Sequence, residues 1–353
     1  MFPLSFPLRQ LKNARRGDWV IDPFCGRGST NYAARLYGLP SMGVDVNPVA
    51  AAIAQAKGVS ATPQEVVTAC ERILVSGDGP RSVPEGQFWS VAFHEHTLKQ
   101  LCRIRESLLD NCRSPARKAL RALLLGRLHG PKAKGRKKSY CSNQMPRTYA
   151  SKPGYAVGYW REHGSRPPKV DVLELVRRKA PAYFSALPPT VPLRLVRGDS
   201  RTLDFAGLLP KGERARWVIT SPPYYGMRTY VPDQWLRYWF VGGPETVAYE
   251  FSNQLLHTSP EEFAEQLALV WRNVASACHS GARLVVRFGS IPERTNGGLE
   301  VLRDSLNRAD SHWRVTTIRP AGAADRGRRQ ATQFGLKDST SRTEFDLFAR
   351  LST

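Results

Sequence analysis

Trp19-Val20-Ile21-Asp22-Pro23-Phe24-Cys25-Gly26-Arg27-Gly28 decides the fold. A short apolar run ends in an acid and a proline, two glycines follow one residue apart, and Ser29-Thr30-Asn31-Tyr32-Ala33-Ala34-Arg35-Leu36 continues with helical spacing. Glycines at this point let the chain turn tightly and let a ligand approach the backbone, while the amides of the next helix face that ligand. A second short strand, Ser41-Met42-Gly43-Val44-Asp45, comes next, and Pro48 opens an alanine-rich helix. Strand, glycine turn, helix, strand and helix form the opening of a βαβ unit.

The βα rhythm stops after Gly58 and returns at Arg194-Leu195-Val196-Arg197-Gly198-Asp199. It continues in Arg216-Trp217-Val218-Ile219-Thr220, which runs into Ser221-Pro222-Pro223-Tyr224. Acids at Glu261 and Glu262 and apolar positions Phe263, Leu267, Val270 and Trp271 predict a helix over 260–279, leading into a central strand over 281–288. Two further strand patterns, 313–318 and 344–349, have no helical pattern between them, so they add an antiparallel pair to a mostly parallel sheet. The expected organisation is a catalytic or cofactor domain in two parts, 1–58 and 191–353, around an insertion over 59–190.

A chain of 353 residues with 41% hydrophobic and 23% charged content can build a large core, which excludes a disulfide miniprotein, a fibre and wholesale disorder. Its net charge of +22 is an electrostatic argument for a polyanionic partner. Most of that excess is local, because residues 113–170 hold fifteen Lys or Arg against a single acid, Glu162. Tyr140, Met145, Tyr149, Tyr155, Tyr159 and Trp160 are interleaved with those cations, a pattern suited to binding backbone phosphates and contacting bases. Lys132, Lys134, Arg136, Lys137, Lys138, Asn143, Gln144, Arg147, Tyr149 and Lys152 are the candidate DNA contacts.

Six scattered cysteines with no C-x-x-C pair read as free thiols of a reducing compartment. The first residues carry no signal-peptide pattern and no window reaches 18 apolar residues, so the expected location is cytoplasmic and DNA-associated. His94-Glu95-His96 with Cys102 and Cys112 lacks zinc-site spacing, and no metal is expected.

The glycine turn lacks G-K-[ST] and the third glycine of a dinucleotide fingerprint, so neither a triphosphate loop nor a pyrophosphate site is supported. Asp45, ending the second strand, can accept hydrogen bonds from a ribose diol or can cap the helix that Pro48 begins. Two consecutive prolines after a strand cannot continue a helix or sit inside a sheet, so Ser221-Pro222-Pro223-Tyr224 forms a stiff platform at the carboxyl edge. The reading gives Tyr224 a ring that stacks on a flat substrate.

Together, the turn and the tetrad resemble the S-adenosylmethionine-dependent DNA amino-methyltransferases, enzymes of restriction-modification type that make N4-methylcytosine or N6-methyladenine. The resemblance implies a Rossmann-like α/β fold: a seven-stranded, mostly parallel methyltransferase sheet, an antiparallel C-terminal strand pair and a basic, largely helical insertion. It assigns the cofactor to Asp22, Pro23, Phe24, Cys25, Gly26 and Gly28, to Asp45 and Val46, to Asp199 and Ser200, and to the segment from Phe2 to Pro7. It assigns catalysis to Ser221, Pro222, Pro223 and Tyr224, with double-stranded DNA as partner, base flipping as the mode of access and a restriction endonuclease encoded nearby as a further partner. Serine at position 221 favours N4 of cytosine over N6 of adenine. RNA or protein methylation, and a non-catalytic nucleic-acid-binding role for the same fold, are the competing readings. C5 methylation would need a nucleophilic cysteine in the tetrad, which has none.

Overall fold

The structure is a computed structural model that describes residues 2–76, 79–130, 139–145, 153–225, 234–247, 255, 258–289, 297–310, 312–323 and 343–352. The chain divides into two compact units. The first comprises 1–58, 188–229 and 252–353; the second comprises 59–187 and 230–251.

The first unit is built on a seven-stranded sheet of β1 (Trp19–Asp22), β2 (Ser41–Asp45), β3 (Leu193–Arg197), β4 (Ala215–Thr220), β5 (Cys278–Gly289), β6 (Trp313–Ala323) and β7 (Thr343–Leu351). Their order across the sheet is β3-β2-β1-β4-β5-β7-β6. The pairs from β3 through to β5 are parallel, and β7 is antiparallel to both β5 and β6. This is the mostly parallel, methyltransferase-like sheet with an antiparallel C-terminal pair expected from the sequence. The order reverses between β1 and β4, and in open α/β sheets the crevice at such a reversal is where ligands bind.

Both sheet faces are covered. On one, the helix Pro260–Ser276 buries Phe263, Leu267, Val270 and Trp271 in the main core with Ile21, Val218, Leu284 and Val286 of the strands. Ser259 accepts the Glu262 amide at its start, so the predicted first-turn acids sit where the helix dipole favours them. On the other face, the helix Ser5–Leu11 buries Phe6 and Leu11 with Val20, Leu39, Trp217, Ile219 and Val285.

The second unit is helical among its described residues. Helices Pro63–Val75, Glu95–Asp110, Pro115–Leu125 and Val172–Phe184 each open on a capping side chain, Thr62, His94, Ser114 and Asp171 in turn. His94 is thereby placed as a cap, with its Nδ1 accepting the His96 amide. Helix Trp235–Phe240 also belongs to this unit, whereas the sequence reading left it in the catalytic half. The physical reason is aromatic packing: Trp235 meets Phe88 and Trp89 at ring distances of 4.8 and 5.6 Å, and Trp239 meets Trp89 at 4.7 Å. No helix among the described residues is long and apolar enough to cross a membrane.

Candidate active site

The glycine turn leaves β1 at the carboxyl edge and is held from several sides. Asp22 is buried, and its Oδ1 accepts from the Phe24 amide at 3.1 Å and from the Thr220 hydroxyl at 2.6 Å. Thr30, on the helix Ser29–Leu36, also hydrogen-bonds Asp22 and donates to the Ile219 carbonyl at 3.2 Å. One carboxylate thus joins the turn to the end of β4, which carries the tetrad. Burial pushes the Asp22 carboxyl up to about 6, against the lowering effect of hydrogen bonds from Thr220, Thr30 and Phe24, with nearby Asp45 adding to the rise.

A raised carboxyl favours folding below its unfolded value near 3.8 and loses that contribution as the pH rises to about 6. The cost of ionisation above pH 6 is about 3 kcal/mol. We therefore expect the stability of Asp22→Asn relative to the native chain to improve by roughly that amount between pH 4 and pH 7. Thermal unfolding of both proteins across this range measures it, and a pH-independent difference would refute the assignment.

Gly26 and Gly28 both take left-handed φ values, +52° and +72°. A Cβ at Gly26 would meet nothing within 4 Å, so the turn presents bare backbone to open space. A Cβ at Gly28 would lie 2.9 Å from the Ala54 Cβ, so this glycine lets the helix Pro48–Gly58 pack against the turn. Asp45 Oδ2 accepts the Gly26 amide at 2.8 Å and Oδ1 accepts the Asn47 amide at 2.8 Å. Burial raises the Asp45 carboxyl, opposed by these two amides. Each oxygen keeps a further acceptor position, which suits a vicinal diol. The cap on the next helix is Asn47, whose Oδ1 accepts from Val49 and Ala50. Val46 lies between Asp45 and Asn47 and is part-exposed.

Other residues assigned to the cofactor have structural tasks. Cys25 is buried, its amide donates to the Val44 carbonyl, and burial pushes its thiol far up, so its backbone rather than its sulfur belongs to the turn. Pro23 is buried, and its carbonyl accepts the Ser200 hydroxyl at 2.6 Å. Phe24 is partly buried against the main core. Phe2 and Pro7 are buried beside Phe6 in the N-terminal layer, not at an open edge.

Asp199 departs from its expected role. Its Oδ1 accepts from the Arg201 amide and Nε, and its Oδ2 accepts from Nε and Nη2, which occupies both oxygens. Burial acts to raise the Asp199 carboxyl, but the Arg201 hydrogen bonds and charge outweigh it and hold the group below the usual carboxylate range. Arg201 also donates to Gln266, so the pair ties the loop after β3 to the helix Pro260–Ser276. An adenine contact through this carboxylate is therefore corrected to an ion pair.

Ser221, Pro222, Pro223 and Tyr224 follow β4 without regular secondary structure, as two prolines require. Ser221 and Pro223 are part-exposed and Pro222 is buried. Tyr224 is not an exposed stacking platform. Its ring is 6% exposed and packs edge-on against Phe288, and its hydroxyl donates to Glu344 Oε1 at 2.6 Å. Its side chain also hydrogen-bonds Ser221, and burial raises its phenol further above the ordinary value together with Glu344.

Glu344 is the main residue that the sequence reading missed. It and Asp346 are buried acids two apart on β7, and Asp346 takes both Arg287 Nε and Nη2 at 2.8 Å. Two acids alternating with apolar residues in a strand of an acid-poor chain were the available signal.

Within the second unit, Asn143 is a strut. Its amide nitrogen donates to the Val91 and Ser165 carbonyls, and its oxygen accepts from the Gln144 amide and Ser165 hydroxyl. The Gln144 carbonyl accepts from Trp160 Nε1. Trp160 and Met145 are buried, and the Arg127 guanidinium lies over the Tyr140 and Tyr183 rings, so these aromatics serve packing. Lys132, Lys134, Arg136, Lys137, Lys138, Arg147, Tyr149 and Lys152 lie outside the described residues.

No protein-family model and no curated protein matches the chain. Among solved structures, it is similar to the rRNA methyltransferase AviRa from Streptomyces viridochromogenes, at 13% identity over 99% of this chain and 85% of that one, with a TM-score of 0.35. It is similar to a TehB-like SAM-dependent methyltransferase from Corynebacterium glutamicum at 9% identity over 98% and 86% of the two chains, TM-score 0.35. Magnesium protoporphyrin IX methyltransferase from Synechocystis PCC 6803 is similar at 11% identity over 98% and 76%, TM-score 0.34. Each of these likenesses is one of fold.

Proposed function

We propose that the first unit transfers a methyl group from S-adenosylmethionine to an exocyclic amino group of a base extruded from double-stranded DNA, N4 of cytosine in preference to N6 of adenine. The observation that carries this reading is the neighbourhood of turn and tetrad. They leave adjacent parallel strands at the point where strand order reverses, and Asp22 bonds one to Thr220 of the other.

The bare Gly26 backbone and the two acceptor positions left on Asp45 fit the ribose end of the donor. When bound, S-adenosylmethionine supplies an electrophilic methyl group. The chain must then hold the amino nitrogen in line and overcome the delocalisation of its lone pair into the ring. Ser221 Oγ and the Pro222 carbonyl, fixed by the proline pair, accept the amino hydrogens and favour the pyramidal nitrogen. No general base is required before attack. Serine rather than aspartate at position 221 favours cytosine, and the concentration of cations in 113–170 supports DNA as the partner.

Sequencing DNA from cells that express the chain, by a method that resolves N4-methylcytosine from N6-methyladenine, tests the reading; the expected result is N4-methylcytosine at one recurring site. Ser221→Ala is expected to lower turnover roughly 10²-fold in tritiated methyl transfer to duplex DNA, with donor affinity by calorimetry unchanged. Unmodified DNA, or equal turnover in the variant, would overturn it.

A further inference from the structure

Glu344 stands outside every motif read from the sequence, yet its carboxylate holds the hydroxyl of the tetrad tyrosine at 2.6 Å. Proton counting fixes the direction of the chain of hydrogen bonds. An ionised carboxylate only accepts, so the single phenolic proton of Tyr224 points at Glu344. The hydrogen bond between Ser221 and Tyr224 must then run the other way, from the serine hydroxyl to the phenol oxygen. Ser221 is left with its lone pairs free and its own proton committed. The arrangement is a polarised row, Ser221 to Tyr224 to Glu344, starting at the part-exposed end of the tetrad and ending in the core.

We propose that Glu344 is the terminal proton acceptor of the reaction, reached through Tyr224 and Ser221. This rests on the reading of Ser221 as the acceptor of an amino hydrogen. As the nitrogen gains its methyl group it becomes cationic, and one N–H bond must break. That proton passes to Ser221 Oγ, the serine proton passes to the Tyr224 oxygen, and the tyrosine proton passes to Glu344 Oε1. Each bonding pair stays on the atom the proton leaves. One carboxylate becomes a carboxylic acid, one cationic nitrogen becomes neutral, and no oxidant or reductant is needed. The buried ring of Tyr224 has a use in this scheme, because a relay needs a fixed hydroxyl and a stacking platform needs an open face.

The charged and titratable groups facing Glu344 are Tyr224 after β4, Arg287 on β5 and Asp346 on its own strand. Arg287 is committed to Asp346 by two hydrogen bonds and favours the ionised form of Glu344 by its charge. Glu344 is thus ready to receive a proton at neutral pH and is filled in acid.

The test compares the full-length chain with Glu344→Gln and Tyr224→Phe. Glu344→Gln keeps the size and an acceptor but not the basicity; Tyr224→Phe cuts the row while leaving the carboxylate. Both are expected to lower kcat 10²-fold or more at unchanged donor affinity, and the double variant to lose no more than either one. The acid limb of the kcat profile should be present in the native chain and absent from Glu344→Gln. An independent readout needs neither donor nor DNA: ultraviolet titration should show one tyrosine ionising at lower pH in Glu344→Gln than in the native chain. Retention of kcat and of the acid limb in Glu344→Gln would overturn the relay, and so would an unchanged tyrosine titration. A native chain that transfers no methyl group would overturn the methyltransferase reading itself, a result the titration does not share. Should Glu344→Gln fail to fold, Tyr224→Phe with an intact fold and undiminished kcat overturns the relay alone.

Discussion

Gly28→Ala is expected to unfold the chain at markedly lower temperature and to abolish measurable donor binding, while Gly26→Ala, two residues away, is expected to fold almost normally. Gly28 has φ +72°, where a side chain costs about 1–2 kcal/mol. Its added methyl would also lie 2.9 Å from the Cβ and 3.1 Å from the Cα of Ala54. The second of those atoms is backbone of the helix Pro48–Gly58, which cannot yield without moving the whole helix, and overpacking of this kind costs about 1–3 kcal/mol more. Gly28 also begins the helix Ser29–Leu36: its carbonyl accepts the Tyr32 amide, and its own amide donates to Cys25. Displacement there moves Thr30, and with it the bonds to Asp22 and Ile219. At Gly26 the φ of +52° carries the same backbone cost, but the new methyl meets nothing within 4 Å. It projects instead over the exposed face of the turn. Calorimetric titration with S-adenosylmethionine should therefore show weakened binding in both variants, and thermal unfolding should show a large loss only in Gly28→Ala. Equal losses of stability would mean that Ala54 does not constrain the turn.

The difference between those two glycines was not legible in the sequence, where they are a single G-x-G. What was legible is whatever local chemistry determines. Apolar runs ending in turn residues gave each strand to within a few positions, and the missing helical pattern between 318 and 344 gave the antiparallel pair. The stiffness of Pro222-Pro223 and the placement of the turn after β1 follow from residues a few positions apart. The partners of long polar side chains do not. Tyr224 meets Glu344 across 120 residues, and Asn143 reaches back to Val91 and forward to Ser165. Tyr224 reads as a flat ring beside a substrate, and its actual setting depends on a strand that returns at the end of the chain. Asp199 misled in another way: its partner is only two residues on, but a flexible Arg201 gives no sign that it will fold back rather than point to solvent. In the basic stretch, the expectation that aromatics face nucleic acid neglected the need of the helical unit for a core. Trp160 and Met145 supply that core.

The same C-terminal strand carries the last large effect, which concerns Asp346 and Arg287. Their side chains are 11% and 6% exposed, joined by two parallel hydrogen bonds of 2.8 Å, and the guanidinium lies 4.0 Å from the centre of the Phe6 ring. The pair clamps β7 to β5, and the cation carries the clamp on to the N-terminal helix Ser5–Leu11. Removing one partner strands a charge away from water, and buried pairs broken in this way lose about 3–5 kcal/mol. Asp346→Ala is expected to lose that much in denaturant unfolding, because Arg287 keeps its charge and has no nearby water to replace the carboxylate. Replacing both groups by apolar ones of similar volume, Arg287→Met with Asp346→Leu, removes the desolvation cost along with the attraction and should restore most of the stability. A single variant that loses under about 1 kcal/mol would show that Arg287 finds another partner. The restored double variant separates two roles of this edge. It keeps the fold but no longer sets a cation beside Glu344, so a proton acceptor there should fill at higher pH. The acid limb of the kcat profile should move upward in the double variant while its unfolding free energy stays near that of the native chain. A limb that stayed in place would mean that the clamp serves stability alone.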